Sequence, residues 1–152
     1  MAGFEKFLRK IRKSLDKRLY ILRLIRTKGF DIRFLTGCDI KADLPDLLTR
    51  KVRFPHPVGI VISAYVKIGD ETSILQNVTI GVKKAVTEHE GNYPVIGRNV
   101  TIFAGAVIMG SVEIGDHCLV GANAVVNRSF PPYSIIAGAP ARRIGTVPMP
   151  RE

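Results

Sequence analysis

Aliphatic β-branched residues recur every six positions along residues 68–126 of this 152-residue chain: Ile68, Ile74, Ile80, then Ile96, Ile102, Ile108, Ile114, Val120 and Val126. The fourth residue after each is also restricted, as Thr72, Val78, Val100, Ala106, Val112, Cys118 and Ala124. A helix cannot use a period of six, because successive repeats would rotate around its surface. Strict alternation of one sheet face does not describe it either. A solenoid with one short flat strand per six residues does: the aliphatic side chain points inward, and small residues such as Gly69, Gly81, Gly97, Gly115 and Gly121 let the chain turn each corner. A β-sandwich with accidental spacing gives no reason for the glycines.

Charge divides the chain. Residues 1–53 hold 15 Lys/Arg against 6 Asp/Glu, a net +9, whereas residues 54–152 hold 8 against 7, a net +1. Leucine and valine divide the same way, with nine Leu and one Val before position 54 and two Leu and fourteen Val after it. Leu with Lys/Arg favours helix, and Val with Ile favours strand. The expected organisation is a basic helical segment over 1–53, a β-rich body over 54–145 and a tail over 146–152. Phe4, Leu8, Ile11, Leu15, Leu19 and Leu22 make 4–26 an amphipathic helix with Lys and Arg on its other face. Its apolar stripe has two candidate partners, the solenoid or a neighbouring subunit on one hand and an anionic membrane surface on the other. Nothing resembles a nucleic-acid recognition module. No apolar run reaches the roughly 18 residues of a membrane span, and the amino terminus is not patterned as a secretory signal. Two cysteines 80 positions apart, Cys38 and Cys118, form no disulfide framework, so a reduced, cytoplasmic setting is expected, with the inner face of the membrane as a variant.

The units Ile-Gly-Asp-Glu-Thr-Ser (68–73), Ile-Gly-Arg-Asn-Val-Thr (96–101) and Val-Gly-Ala-Asn-Ala-Val (120–125) resemble those of hexapeptide-repeat acyltransferases. So does the ending Phe130-Pro-Pro-Tyr-Ser-Ile-Ile-Ala-Gly-Ala-Pro-Ala-Arg-Arg-Ile-Gly145. His56-Pro-Val-Gly-Ile-Val-Ile and Ser73-Ile-Leu-Gln-Asn-Val-Thr-Ile-Gly81 are similar to the serine acetyltransferase branch and its relatives in polysaccharide biosynthesis. The resemblance implies a mainly β fold, a left-handed parallel β-helix, a homotrimer and acetyl-CoA as co-substrate. The left hand comes from the resemblance alone, since ordinary parallel crossovers are right-handed. Between Ile80 and Ile96 the repeat is interrupted by about ten surplus residues, which read as a loop projecting over 82–94. In the relatives such a loop helps cover an active site between subunits; a tolerated surface insertion is the plainer reading.

Moving an acetyl group from a thioester to a hydroxyl needs a base, oxyanion donors and a slot for the pantetheine arm. Of three histidines, His56 falls where the resemblance places the catalytic base, with the alternative that it is a rim residue held by Pro55 and Pro57. His89, in the loop, and Tyr93 are candidate assistants; His117 reads as surface. The separations of 33 and 28 residues between the histidines do not match the zinc sites of γ-type carbonic anhydrases, so no metal is expected. By position in the family, Ala104, Ala122, Asn127, Arg128, Arg142 and Arg143 are the candidate acetyl-CoA contacts, with the arginines suited to phosphate. Simple corner packing is the other reading of the two alanines.

Two positions depart from serine acetyltransferase. Pro55 replaces an acidic residue before the histidine, and Tyr93 replaces a second histidine before Pro-x-Ile. Losing a carboxylate undercuts recognition of an ammonium group. The expectation is therefore O-acetylation of a sugar hydroxyl, on a small-molecule or lipid-linked saccharide, with serine O-acetylation and a non-catalytic binding β-helix as alternatives.

Overall fold

A computed structural model describes residues 36–82 and 92–148. The amphipathic segment over 4–26 and His89 lie outside the described residues. The chain divides into two compact units, 1–35 and 36–152, and the description concerns the second.

That unit is a left-handed parallel β-helix of short strands. Three sheets form its faces. The first contains, in spatial order, β1 (Asp39–Ile40), β2 (Val61–Ile62), β5 (Thr79–Gly81), β8 (Val107–Met109) and β11 (Val125–Val126). The second stacks β4 (Ser73–Ile74), β7 (Thr101–Ile102), β10 (Leu119–Val120), β12 (Ser134–Ala137) and β13 (Arg142–Thr146). The third holds β3 (Lys67–Ile68), β6 (Val95–Ile96) and β9 (Glu113–Ile114). All pairs are parallel except β12 with β13, which turns back antiparallel and ends the coil.

Register explains the period. Val61 pairs with Thr79, Thr101 with Leu119 and Val107 with Val125, each 18 residues apart, so three six-residue units make one turn. Pairs that cross the interruption, such as Lys67 with Val95 and Thr79 with Val107, lie 28 apart. The surplus is the expected ten residues, and it falls between Gly81 and Val95. Every aliphatic residue of the six-residue series is buried, as is each of its i+4 partners from Thr72 to Ala124. Burying an Ile or Val side chain contributes about 1.5–3 kcal/mol, so this one internal column supplies most of the apolar driving force.

Two details refine the sequence reading. First, Gly69, Gly97 and Gly115 are small because coils meet there: a Cβ on Gly69 would lie 2.5 Å from the Arg98 backbone nitrogen. Second, the left-handed corner positions fall elsewhere. One column runs Glu71, Asn99, His117, Tyr133, with φ between 51° and 61°. Another runs Gly59, Asn77, Gly105, Asn123, with φ between 55° and 71°. Asn and Gly adopt this region at least cost.

The β-helix starts earlier than the boundary at 53/54 suggested by charge and leucine content. β1 pairs with β2, and Cys38, Ala42, Leu47 and Val52 enter the common core. Between them lies α1 (Leu44–Thr49), capped by Asp43, whose side chain accepts the Asp46 N–H at 3.2 Å, with Pro45 in the first turn. The tail is likewise shorter, since β13 extends to Thr146 and the Val147 N–H donates to the Tyr133 carbonyl at 2.8 Å.

Candidate functional site

His56 stands on a bulge. From Arg53 to Val61 the chain takes eight steps, while the coil above covers the matching path from Ser73 to Thr79 in six. The regular bond from the Asn77 N–H to the Val58 carbonyl, 2.8 Å, confines the two surplus residues to the stretch before Val58. Pro55 and Pro57 fix the flanking backbone, and the Val58 N–H folds back onto the His56 carbonyl at 2.9 Å. The imidazole is exposed, and no described side chain hydrogen-bonds to it.

Above the bulge, the corner between the second and first sheets stacks Val58, Gln76, Ala104 and Ala122 in one row. The Gly105 N–H donates to the Gln76 carbonyl and the Asn123 N–H to the Ala104 carbonyl, both at 3.0 Å. The N–H groups of Gln76, Ala104 and Ala122 find no partner among the described residues. At the corner between the third and second sheets the comparable N–H of Arg98 is met by Asp116 Oδ1 at 2.9 Å. The first corner thus presents unpaired backbone donors beside methyl-sized side chains, as the candidate roles of Ala104 and Ala122 require.

Past Ala122 the same corner runs through Gly138, whose carbonyl accepts the Val125 N–H at 2.9 Å, and into β13. Arg142 is exposed, with one Nη1 contact to the Ala141 carbonyl at 3.2 Å. Arg143, also exposed, is drawn towards Thr146 Oγ1 at 2.8 Å and the Gly145 carbonyl at 3.3 Å. Arg142 is the freer of the two.

The remaining candidates sit at the opposite edge of the first sheet. His56 precedes β2, whereas Tyr93 follows β5 and Asn127 and Arg128 follow β11, and these strands run parallel. A single chain therefore does not bring them to His56. Tyr93 is buried and tilts against Tyr65, ring centroids 5.2 Å apart. The pair borders an open groove of about 470 Å³ that also touches Lys67, Glu113 and Ser129. The Arg128 guanidinium lies 6.0 Å over the Phe130 ring.

His117 packs at the other corner, stacked on Tyr133 and 2.9 Å from Asn99 Nδ2. Cys118 is fully buried; its thiol donates to the Pro131 carbonyl at 3.2 Å and accepts the Ser134 N–H at 3.3 Å. Burial pushes its pKa up, partly offset by the Ser134 hydrogen bonds, which suits a packing residue and not a nucleophile. Among the described residues, no three His, Cys, Asp or Glu side chains converge as a metal site would need, and no helix is long and apolar enough to cross a membrane.

The sequence reading missed Gln76. Its Oε1 is buried without a hydrogen-bond partner, in a row otherwise occupied by Val and Ala. The available signal was a lone amide in a column of small apolar residues.

Residues 93–128 match the bacterial transferase hexapeptide (six repeats) family. The chain is 35% identical over 122 residues to the serine acetyltransferase of Mycobacterium tuberculosis, covering 80% of this chain and 52% of that one. With the serine acetyltransferase of Staphylococcus xylosus the identity is 38% over 120 residues, covering 74% and 54%. Among solved structures, a serine acetyltransferase in complex with CoA superimposes with a TM-score of 0.56 at 38% identity, over 61% of this chain and 37% of that one. The Vibrio cholerae serine acetyltransferase gives 0.60 at 37%, over 64% and 37%. The chain spans about half the length of the curated relatives it matches.

Proposed function

The chain belongs to the hexapeptide-repeat transferase family, and we propose from that premise that it is an acetyl-CoA-dependent O-acetyltransferase whose acceptor is serine. The observation that carries the reading is the order along one corner: exposed His56, then Gln76, Ala104 and Ala122 with unpaired N–H groups, then Arg142. A thioester donor lying along this corner has its acetyl end at the base and its phosphates at the arginine. His56 takes the hydroxyl proton as the oxygen attacks the acetyl carbonyl. The C–S bond then breaks, and the imidazolium returns the proton to the leaving thiolate. No covalent enzyme intermediate is needed.

Four outward residues of the first sheet, Val61, Thr79, Val107 and Val125, are uncharged, and the fifth, Asp39 of β1, lies at its end beside Lys41. Packing of a homotrimer through this face sets the His56 edge of one copy near the Tyr93, Asn127 and Arg128 edge of the next. Tyr93 is proposed to border the acceptor from there, with His89 as a further candidate assistant.

Serine is the acceptor named for the relatives, and the saccharide expected from the sequence has no support among them. It is kept as a second reading because Pro55 and the buried Tyr93 stand where serine acetyltransferases carry an acidic residue and a histidine. The deciding experiment supplies acetyl-CoA with serine or a panel of sugars and follows thiol release. Saturable release with serine is expected. Release with sugars alone moves the acceptor to the second reading. No release with any acceptor, and no thermal shift with acetyl-CoA, leaves a non-catalytic β-helix.

A further inference from the structure

We propose that the groove beside Tyr93 is an amino-acid site, in which Lys67 holds the carboxylate of the acceptor and Glu113 its ammonium. The inference rests on the serine reading above and adds to it the two residues that set acceptor specificity.

The carboxylates of this β-helix are nearly all matched. Lys41 pairs with Asp39, Arg50 with Asp46 and Asp70, Lys51 with Glu71 and Arg98 with Asp116, while Asp43 caps α1. Among the described residues, Glu113 is the one carboxylate with neither an ion pair nor a hydrogen bond to its side chain, and Lys67 is the one such lysine. Both line the same groove of about 470 Å³. Neighbouring coils fix their backbones: the Lys67 N–H donates to the Pro94 carbonyl at 3.2 Å, and the Glu113 N–H donates to Ser129 Oγ at 2.9 Å.

Spacing supplies the ligand's chemistry. Lys67 pairs with Val95 and Val95 with Glu113, so the two charges rise from strands two levels apart, about 9.6 Å at the usual strand spacing. The ammonium and carboxylate of a free amino acid lie roughly 3 Å apart. With a charge-assisted contact of about 2.8 Å at each end, such a molecule bridges about 9 Å. A saccharide hydroxyl answers neither charge. Val95, 41% exposed, lies between the two as an apolar floor, and the tilted Tyr65 and Tyr93 rings border the groove. In the homotrimer proposed above, this edge meets the His56 edge of the next copy. Glu113 then supplies, across the interface, the carboxylate that Pro55 leaves missing beside the base.

The test follows thiol release from acetyl-CoA in wild type, Glu113→Gln and Lys67→Met. The acceptors are L-serine, 3-hydroxypropionate, which lacks the ammonium, and serine methyl ester, which lacks the carboxylate. Each analogue is read as an acceptor KM or as an inhibition constant against serine. Both side chains are exposed, so neither substitution should disturb the fold. Glu113→Gln is expected to raise the KM for serine about tenfold, the worth of one charge-assisted hydrogen bond, and to leave 3-hydroxypropionate unchanged. Lys67→Met should raise the KM for serine by a similar factor and leave the methyl ester unchanged. The KM for acetyl-CoA should not move in either variant. Serine turnover with an unchanged serine KM in either variant overturns the proposal. So does an equal rise for the analogue that lacks the matching charge, or a parallel rise for acetyl-CoA. A wild-type chain that releases no thiol with serine removes the serine reading itself, and this inference with it.

Discussion

The rings of His117 and Tyr133 stack 4.8 Å apart, inclined by 13°, and each residue holds a left-handed backbone with φ of 60°. The stack joins two coils at a corner where Asn99 adds a 2.9 Å contact to His117 Nδ1. His117→Ala removes the ring contact and leaves an alanine in a region it disfavours, so a loss of about 1–2 kcal/mol is expected. His117→Asn also loses the stack but tolerates the backbone, and about half that loss should be measured in urea titrations.

Glycine substitutions separate crowding from backbone conformation. At Gly97 an added Cβ would stand 2.7 Å from the Asp116 nitrogen and 2.8 Å from the Gly115 carbonyl carbon. Backbone cannot yield as a side chain can, so Gly97→Ala should cost about 3 kcal/mol or prevent folding. At Gly37 nothing lies within 4 Å, but φ is 62°, and Gly37→Ala should cost about 1 kcal/mol. Thermal unfolding of the two variants reads the difference.

His56→Ala is expected to lower kcat by about 10²–10⁴-fold, the usual contribution of a general base, with acetyl-CoA affinity nearly unchanged. Retention of more than about a third of kcat would place the base elsewhere, with His89 the next residue to replace.

Arg142→Ala should raise the KM for acetyl-CoA roughly ten- to a hundredfold while affecting dephospho-CoA donors less, if its guanidinium meets the 3′-phosphate. Arg143, already engaged with Thr146 and Gly145, should show a smaller effect. Equal losses with both donors would assign Arg142 to structure.

Burial raises the Cys118 pKa in the folded chain, so the neutral thiol is the form the fold favours. The contribution is fully present below the unfolded thiol's pKa, about 8.5, and is lost as pH rises through the higher folded value. Urea midpoints should therefore fall from about pH 8.5 upward, and Cys118→Ala should remove that part of the slope. The thiol should also resist alkylation at neutral pH until the chain unfolds.

Much of the fold was legible because its core has one simple rule. Ile68 through Val126 fill equivalent inward positions, so their spacing survives in the sequence, and the 28-residue pairings account for the break after Ile80. What escaped depended on neighbours far along the chain. Residues 36–53 fall inside the basic, leucine-rich third as it was drawn, yet they hold only four Lys/Arg against three Asp, and β1 and Leu47 belong to the first coil. His56 falls in the frame of the buried series, six before Ile62, and only the pairing of Arg53 with Ser73 reveals the bulge that carries it outward. Asn77, Asn99 and Asn123 hold left-handed corners, whereas the sequence reading looked for the corners at the glycines of the repeat. Gln76 is unremarkable until the coil above it proves to offer only alanine.

Lys67 faces Val95, and Thr79 faces Val107, in the same register their counterparts keep one turn later, so the ten surplus residues pass unnoticed by every strand around them. The corner between Gly81 and Val95 accordingly works as an open port in an otherwise fixed winding. Inserts of different length and chemistry can be spliced there without retuning the core, which separates the evolution, or the engineering, of the insert from that of the isoleucines that fill the coil.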